Sequence, residues 1–163
     1  MEIRKTRIEE LDAVLEIYAH ARKFMAEHDN PTQWKDNWPP REYVEQDIAN
    51  GKSYVCVEGD IIGAVFYYAE EHDASYDKIY EGQWLNDEPY AVVHRIASAG
   101  TLKGAGSFCM NWASKQYKNI RIDTHKDNYV MQNMLKKCGF QYCGVVYCEI
   151  GEPRVAYQKV CKE

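Results

Sequence analysis

Residues 101–107 read TLKGAGS, with Gly104 and Gly106 bracketing Ala105 where a helical pattern begins. Glycine lets a backbone come close to a ligand, and the first turn of a helix leaves N–H groups without intrahelical acceptors. Such a turn suits a phosphate or pyrophosphate, because the free donors and the positive end of the helix dipole point the same way. The segment is not a Walker loop, since no Gly-Lys-Ser/Thr closes it. It is not the dinucleotide fingerprint either, because the third glycine is absent. A short G-x-G also describes an ordinary structural turn, so a ligand here must be a different pyrophosphate carrier.

Other reactive residues point elsewhere. Cys138, Cys143 and Cys148 lie five apart, but Cys138 falls on an apolar helical stripe and no histidine accompanies the others. None of the six cysteines forms a C-x-x-C pair and the five histidines are not spaced as partners to them, so no metal site is expected. The thiols read as reduced, small core hydrophobes of a cytoplasmic protein. The start, MEIRKTRIEELDAVL, lacks an apolar signal core, and no run approaches the roughly eighteen apolar residues of a membrane helix. A net charge of -5 disfavours a general phosphate-binding surface, so nucleic acid is not an expected partner, whereas a cationic small molecule is tolerated.

The elements that must position these groups follow from periodicity. The 163 residues are expected to form one domain, 1–163. A short strand at 2–5 precedes a helix to about residue 27, with Thr6 and Glu9 as its capping box and Leu11, Val14, Leu15, Tyr18 and Met25 as its apolar positions. REYVEQDIAN forms a second helix stopped by Gly51, and KSYVCVEGDIIGAVFYYAE forms a hairpin turning at Glu58-Gly59-Asp60. No structure is assigned to 71–88. Then come strand PYAVVHRIAS, the glycine turn, helix FCMNWASKQY, strand NIRIDTH, helix DNYVMQNMLKKCGF and a hairpin about Gly151-Glu152-Pro153. The order β-α-α-β-β-β-α-β-α-β-β predicts an α/β fold: a mixed sheet with helices on both faces.

One stretch does not fit a polar loop. DNPTQWKDNWPP, residues 29–40, carries Trp34 and Trp38 among three prolines. Exposed loops rarely hold large apolar side chains, so the rings either fold back or wall a site.

The element order, the T-L-K-G-A-G turn and the N-Y-V-M-Q-N-M-L-K-K-C-G-F helix together resemble the GCN5-related N-acetyltransferases (GNAT), over almost the whole chain. The resemblance implies a mostly antiparallel sheet whose fourth and fifth strands splay apart around acetyl-CoA. The family motif is Gln/Arg-x-x-Gly-x-Gly/Ala; Gly104 and Gly106 match it, Thr101 stands where Gln or Arg is usual, and Lys103 supplies a nearby charge. Thr101, Lys103, Gly104, Ala105, Gly106 and Ser107 are thereby the expected pyrophosphate cradle. Ile96, Ala97 and Ser98 are the expected backbone partners of the pantetheine arm and thioester carbonyl, where an N–H would stabilise the oxyanion. Asn128 matches a position that contacts the CoA arm, and it reads equally as a plain helix cap.

Acyl transfer to an amine needs a base for the ammonium and an acid for the departing thiolate. The family's usual acid, a tyrosine four residues before the Gly-Phe pair, is Leu135 here. Tyr129, Tyr142 and Tyr147 are the substitutes, with Tyr142 the candidate acid. For the base, alternation puts Val92, His94 and Ile96 on one strand face, and His94 is its titratable group. Glu70 and Glu71 are rival bases that also read as ordinary surface charge. Gln33 with Trp34 or Trp38 is expected to line the acceptor pocket.

The expected activity is therefore acetyl transfer from acetyl-CoA to a small-molecule primary amine by direct attack, without a metal. A homodimer is an open alternative to a monomer. The rivals are a non-catalytic acyl-CoA-binding sensor, which Leu135 and Thr101 favour, and a protein N-acetyltransferase, which needs an open peptide groove.

Overall fold

The computed structural model describes residues 1–35 and 37–161. Strand β1 (Glu2–Lys5) leads to helices α1 (Leu11–Glu27) and α2 (Arg41–Ala49), then to the hairpin of β2 (Ser53–Glu58) and β3 (Ile61–Ala69). There follow β4 (Ala91–Ser98), α3 (Ala105–Gln116), β5 (Asn119–Thr124), α4 (Tyr129–Lys137) and the hairpin of β6 (Gln141–Tyr147) and β7 (Pro153–Val160). This is the order that the hydrophobic periodicity predicts. The strands form one sheet in the order β1-β2-β3-β4-β5-β7-β6, antiparallel except where β4 meets β5.

Helix α1 buries Leu11, Val14, Ile17, Tyr18 and Ala21, one stripe at helical spacing. Its start differs from the predicted box. Glu10, not Glu9, accepts the Arg7 backbone N–H at 2.8 Å, while Thr6 shares a 2.8 Å hydroxyl contact with Ser53. The cause is the sheet: Thr6 still donates its backbone N–H to the Ser53 carbonyl, so its side chain is spent on β2.

One sheet face, with Phe66, Val93, Ile120, Ile122 and Tyr157, packs against Met110 and Ala113 of α3 and Leu135 of α4. On the other face α1 and α2 cover Val55, Val57, Val65 and Ala97. The rest of that face, with Tyr67, Val92, Val146 and Ala156, is covered by Tyr76, Ile79, Trp84 and Tyr90 from the β3–β4 connection. That connection is tied down throughout: Tyr80 bridges Val145, Leu85 donates to Gln158 Oε1 at 2.8 Å, and the Asn86 carbonyl accepts from Arg121 at 2.8 Å. A segment without periodicity is thus held by backbone and polar contacts to β5, β6 and β7.

Two irregularities prepare the site. Strands β4 and β5 pair only at Ala91↔Ile120 and Val92↔Arg121, then diverge. On its other edge β4 carries a bulge, where Phe66 alone faces Arg95 and Ile96 and Arg95 adopts φ 49°.

Candidate active site

The divergence leaves the β5-facing backbone of β4 without a strand partner beyond Val92. A paired strand cannot receive a ligand on its edge; an unpaired one offers N–H and C=O groups at regular spacing. Ile96, Ala97 and Ser98 all lie on this opened stretch. Their side chains part: Ile96 packs with the α3/α4 core, Ala97 is buried against α1 and Ser98 is exposed. The bulge is the reason, and it corrects the predicted shared face. Its extra residue sends Ile96 to the side of Val93, while His94 keeps the side of Val92.

The strand hands the chain to the glycine turn. Leu102 lies across Gly63 of β3 so closely that a Cβ there would come within 2.6 Å of it. Thr101 turns its hydroxyl to the Ile62 carbonyl at 3.3 Å rather than into the turn, while Lys103 is exposed. Gly104 precedes α3 in the left-handed region at φ 78°, and no side chain caps the helix. Ala105 donates to the Leu102 carbonyl, so the free first-turn donors are the N–H groups of Gly106 and Ser107. A pyrophosphate fits that donor set: paired N–H groups, helix dipole and no obstructing side chain at Gly104.

His94 precedes the bulge and packs beside the rings of Tyr67 and Tyr76. Its Nε2 lies 2.9 Å from Asp73 Oδ2. Burial raises the Asp73 carboxyl, but the His94 and Ser75 hydrogen bonds outweigh it and bring the group down to about 2. Tyr76, fully buried, donates to Asp123 of β5 at 2.6 Å; burial and the facing carboxylate keep its phenol protonated well above the ordinary range. Residues 73–76 therefore span the split, touching β4 through Asp73 and β5 through Tyr76. Arg95 sends its guanidinium over the Tyr67 ring to a two-pronged 2.9 Å pairing with Asp47 of α2.

The 29–40 loop divides its rings. Trp34 is buried edge-on against Tyr18, while Trp38 is half-buried against Tyr43 beside the same core and precedes a cis bond to Pro39. Gln33 is the polar centre: its Oε1 accepts from Asn30 at 2.9 Å, Asn128 at 3.1 Å and Thr124 at 3.4 Å. Thr32 meets His125 Nε2 at 3.1 Å, and Lys35 pairs with Glu152 at 3.4 Å. The loop is thereby latched to the β5–α4 corner and the β6–β7 turn, and among the described residues Asn30 Oδ1 is sealed inside without a partner. Asn128 is spent on both sides, its Oδ1 capping Met131 N–H and its Nδ2 serving Gln33.

Tyr142 is half exposed on edge strand β6 against Tyr157, with β7 between it and β5. Tyr129 is exposed, Tyr147 packs on Tyr80, and Leu135 is wholly buried. Glu71 is held by Lys52 and Tyr67, both at 2.7 Å, and Glu70 meets Tyr68 at 3.4 Å. Asp73 is the residue that periodicity missed, although D-A-S before an aromatic is a local capping signal.

Neither a family model nor a curated protein matches the sequence. Solved structures do. A GNAT-family acetyltransferase from Streptococcus agalactiae 2603 is 32% identical, with TM-score 0.91 over 99% of this chain and 96% of that one. A Salmonella typhimurium chain solved with its cofactor acetyl-CoA shares the fold at 12% identity and TM-score 0.65, over 99% and 94% of the two chains. A ribosomal-protein-alanine N-acetyltransferase from Brucella melitensis does so at 14% and 0.67, over 98% and 99%.

Proposed function

The chain belongs to the GCN5-related N-acetyltransferase family, and from that premise we propose that it moves the acetyl group of acetyl-CoA to the primary amine of a small molecule by direct attack in a ternary complex. The observation that carries the proposal is the split of β4 from β5 beside an uncapped, glycine-opened helix start. In this mechanism the N–H groups of Gly106 and Ser107 receive the pyrophosphate, and the opened edge at Ile96, Ala97 and Ser98 receives the pantetheine arm. A backbone N–H beside the bulge faces the thioester carbonyl and stabilises the oxyanion.

His94 takes one proton from the acceptor ammonium, freeing its lone pair. The nitrogen attacks the carbonyl carbon, the C–S bond breaks, and the nitrogen's second proton ends on the sulfur. The products are an amide and a free thiol. A small acceptor is favoured by the latch, which joins residues 32–35 to the β5–α4 corner and the β6–β7 turn. A peptide needs an open groove at that position.

A thiol-release assay with acetyl-CoA and a panel of small amines, polyamines and amino-terminal peptides tests this directly. Turnover is expected with a small amine and not with peptides. Peptide turnover alone assigns the protein-acetylating alternative. The buried Leu135, which puts no hydroxyl at the family's acid position, favours the sensor alternative. Tight acetyl-CoA binding without turnover on any amine would establish that alternative instead.

A further inference from the structure

We infer that Asp73 is a positioning residue that locks His94 in the Nε2–H tautomer, so that Nδ1 is the atom receiving the acceptor's proton. The inference rests on the transferase reading for its catalytic half; the tautomer half stands on geometry alone.

Asp73 is built as a bracket. Its Oδ1 accepts from both the backbone N–H of Ser75 at 2.9 Å and the Ser75 hydroxyl at 2.7 Å, which caps the 3-10 turn Ala74–Tyr76. Its own backbone N–H is held by the Tyr90 hydroxyl at 2.8 Å. The carboxylate therefore cannot rotate without breaking the cap, and Oδ2 is left for His94 Nε2 at 2.9 Å. An ionised carboxylate only accepts hydrogen bonds, so Nε2 must donate. The neutral ring then carries its lone pair on Nδ1. Among the described residues Nδ1 has no hydrogen-bond partner, and it is not one of the sealed polar atoms. When Nδ1 is protonated, Asp73 faces the resulting imidazolium and stabilises it.

The surroundings leave this job to Asp73. Around the ring, β3 supplies Tyr67, the connection supplies Tyr76, and the strand itself supplies Arg95. Asp47 of α2 and Glu71 beyond β3 are the other nearby acids, but Asp47 is committed to Arg95 and Glu71 to Lys52 and Tyr67.

Asp73→Asn is the discriminating variant, because asparagine keeps the cap. Oδ1 retains the two Ser75 donors, which forces the amide Nδ2 to face His94. Nε2 must then accept, the ring proton moves to Nδ1, and the base atom is blocked. Nitrogen-15 shifts of the His94 ring, assigned by difference with His94→Gln, should show the Nε2–H pattern in the wild type and the Nδ1–H pattern in Asp73→Asn. With the active amine, kcat should fall by about 100-fold or more while the KM for acetyl-CoA changes by less than about threefold. Asp73→Glu, which restores a carboxylate, should recover part of kcat. An unchanged tautomer in Asp73→Asn overturns the inference, and so does a changed tautomer with near-wild-type kcat. A wild type that turns over no amine defeats the transferase reading instead, and the ring spectra still decide the tautomer.

Discussion

Gly104 shows how one residue carries both shape and ligand contact. At φ 78° an alanine is strained, although a Cβ there would meet nothing within 4 Å. Gly104→Ala should therefore cost about 1 kcal/mol of stability by thermal unfolding, through backbone strain rather than a clash. Because the same twist aims the Gly106 and Ser107 donors, calorimetry should also show acetyl-CoA affinity falling about tenfold or more. Asp73 makes a second prediction. Its folded value of about 2 lies below the usual 3.8, so its hydrogen bonds stabilise the fold fully above pH 3.8. That contribution, about 2 kcal/mol, disappears as pH falls from 3.8 toward 2, and Asp73→Asn should flatten the acid limb of the stability curve there. Periodicity marked Gly104 and His94 but not this partner, because a side chain reaching across 21 positions leaves no repeat. Trp34 shows the reverse: its odd place in a proline-rich loop was legible, and its burial against Tyr18 was not.

At the scale of elements, the β4 bulge sits just beyond the last residue that pairs with β5. Arg95 is held at φ 49° by its Asp47 pairing, by the Tyr67 ring and by the Tyr18 hydroxyl on its carbonyl at 3.0 Å. Arg95→Ala removes the pairing, leaves the strain and strands Asp47, whose carboxyl burial already pushes up against the pull of Arg95. Destabilisation of about 2–3 kcal/mol is expected in denaturant unfolding, and the Asp47→Asn/Arg95→Ala pair should recover part of it. Helices and strands were readable because each repeats an apolar stripe. The bulge was not, since it sits on an arginine where a glycine would have signalled it. The latch has its own pH dependence. Burial, helped by Arg154, lowers the His125 value below 6.5, while its Nδ1 accepts the Asp127 N–H at 3.0 Å. Protonation blocks that acceptor, so latch stability is complete above pH 6.5 and falls as pH drops through the lowered value. Amide exchange at 29–35 should quicken over that descent, and less so in His125→Gln.

Across the whole molecule, the helices and strands of the described residues, in the expected order, set the 73–76 bracket beside the opened edge of β4, which the chain leaves to enter the glycine turn and α3. The edge and the helix start were legible as a strand followed by a glycine turn. The bracket was not, because the β3–β4 connection is ordered by bonds to β5, β6 and β7 rather than by any pattern of its own. Among the described residues no helix is long and apolar enough to cross a membrane. Acetyl transfer by this chain requires the split to be an acyl-CoA site. Amide hydrogen exchange with and without saturating acetyl-CoA tests that most directly. Protection concentrated at Val93–Ser98 and at Lys103–Ser107 is the predicted result. Binding that leaves both stretches unprotected, or protects a different edge of the sheet, would contradict it.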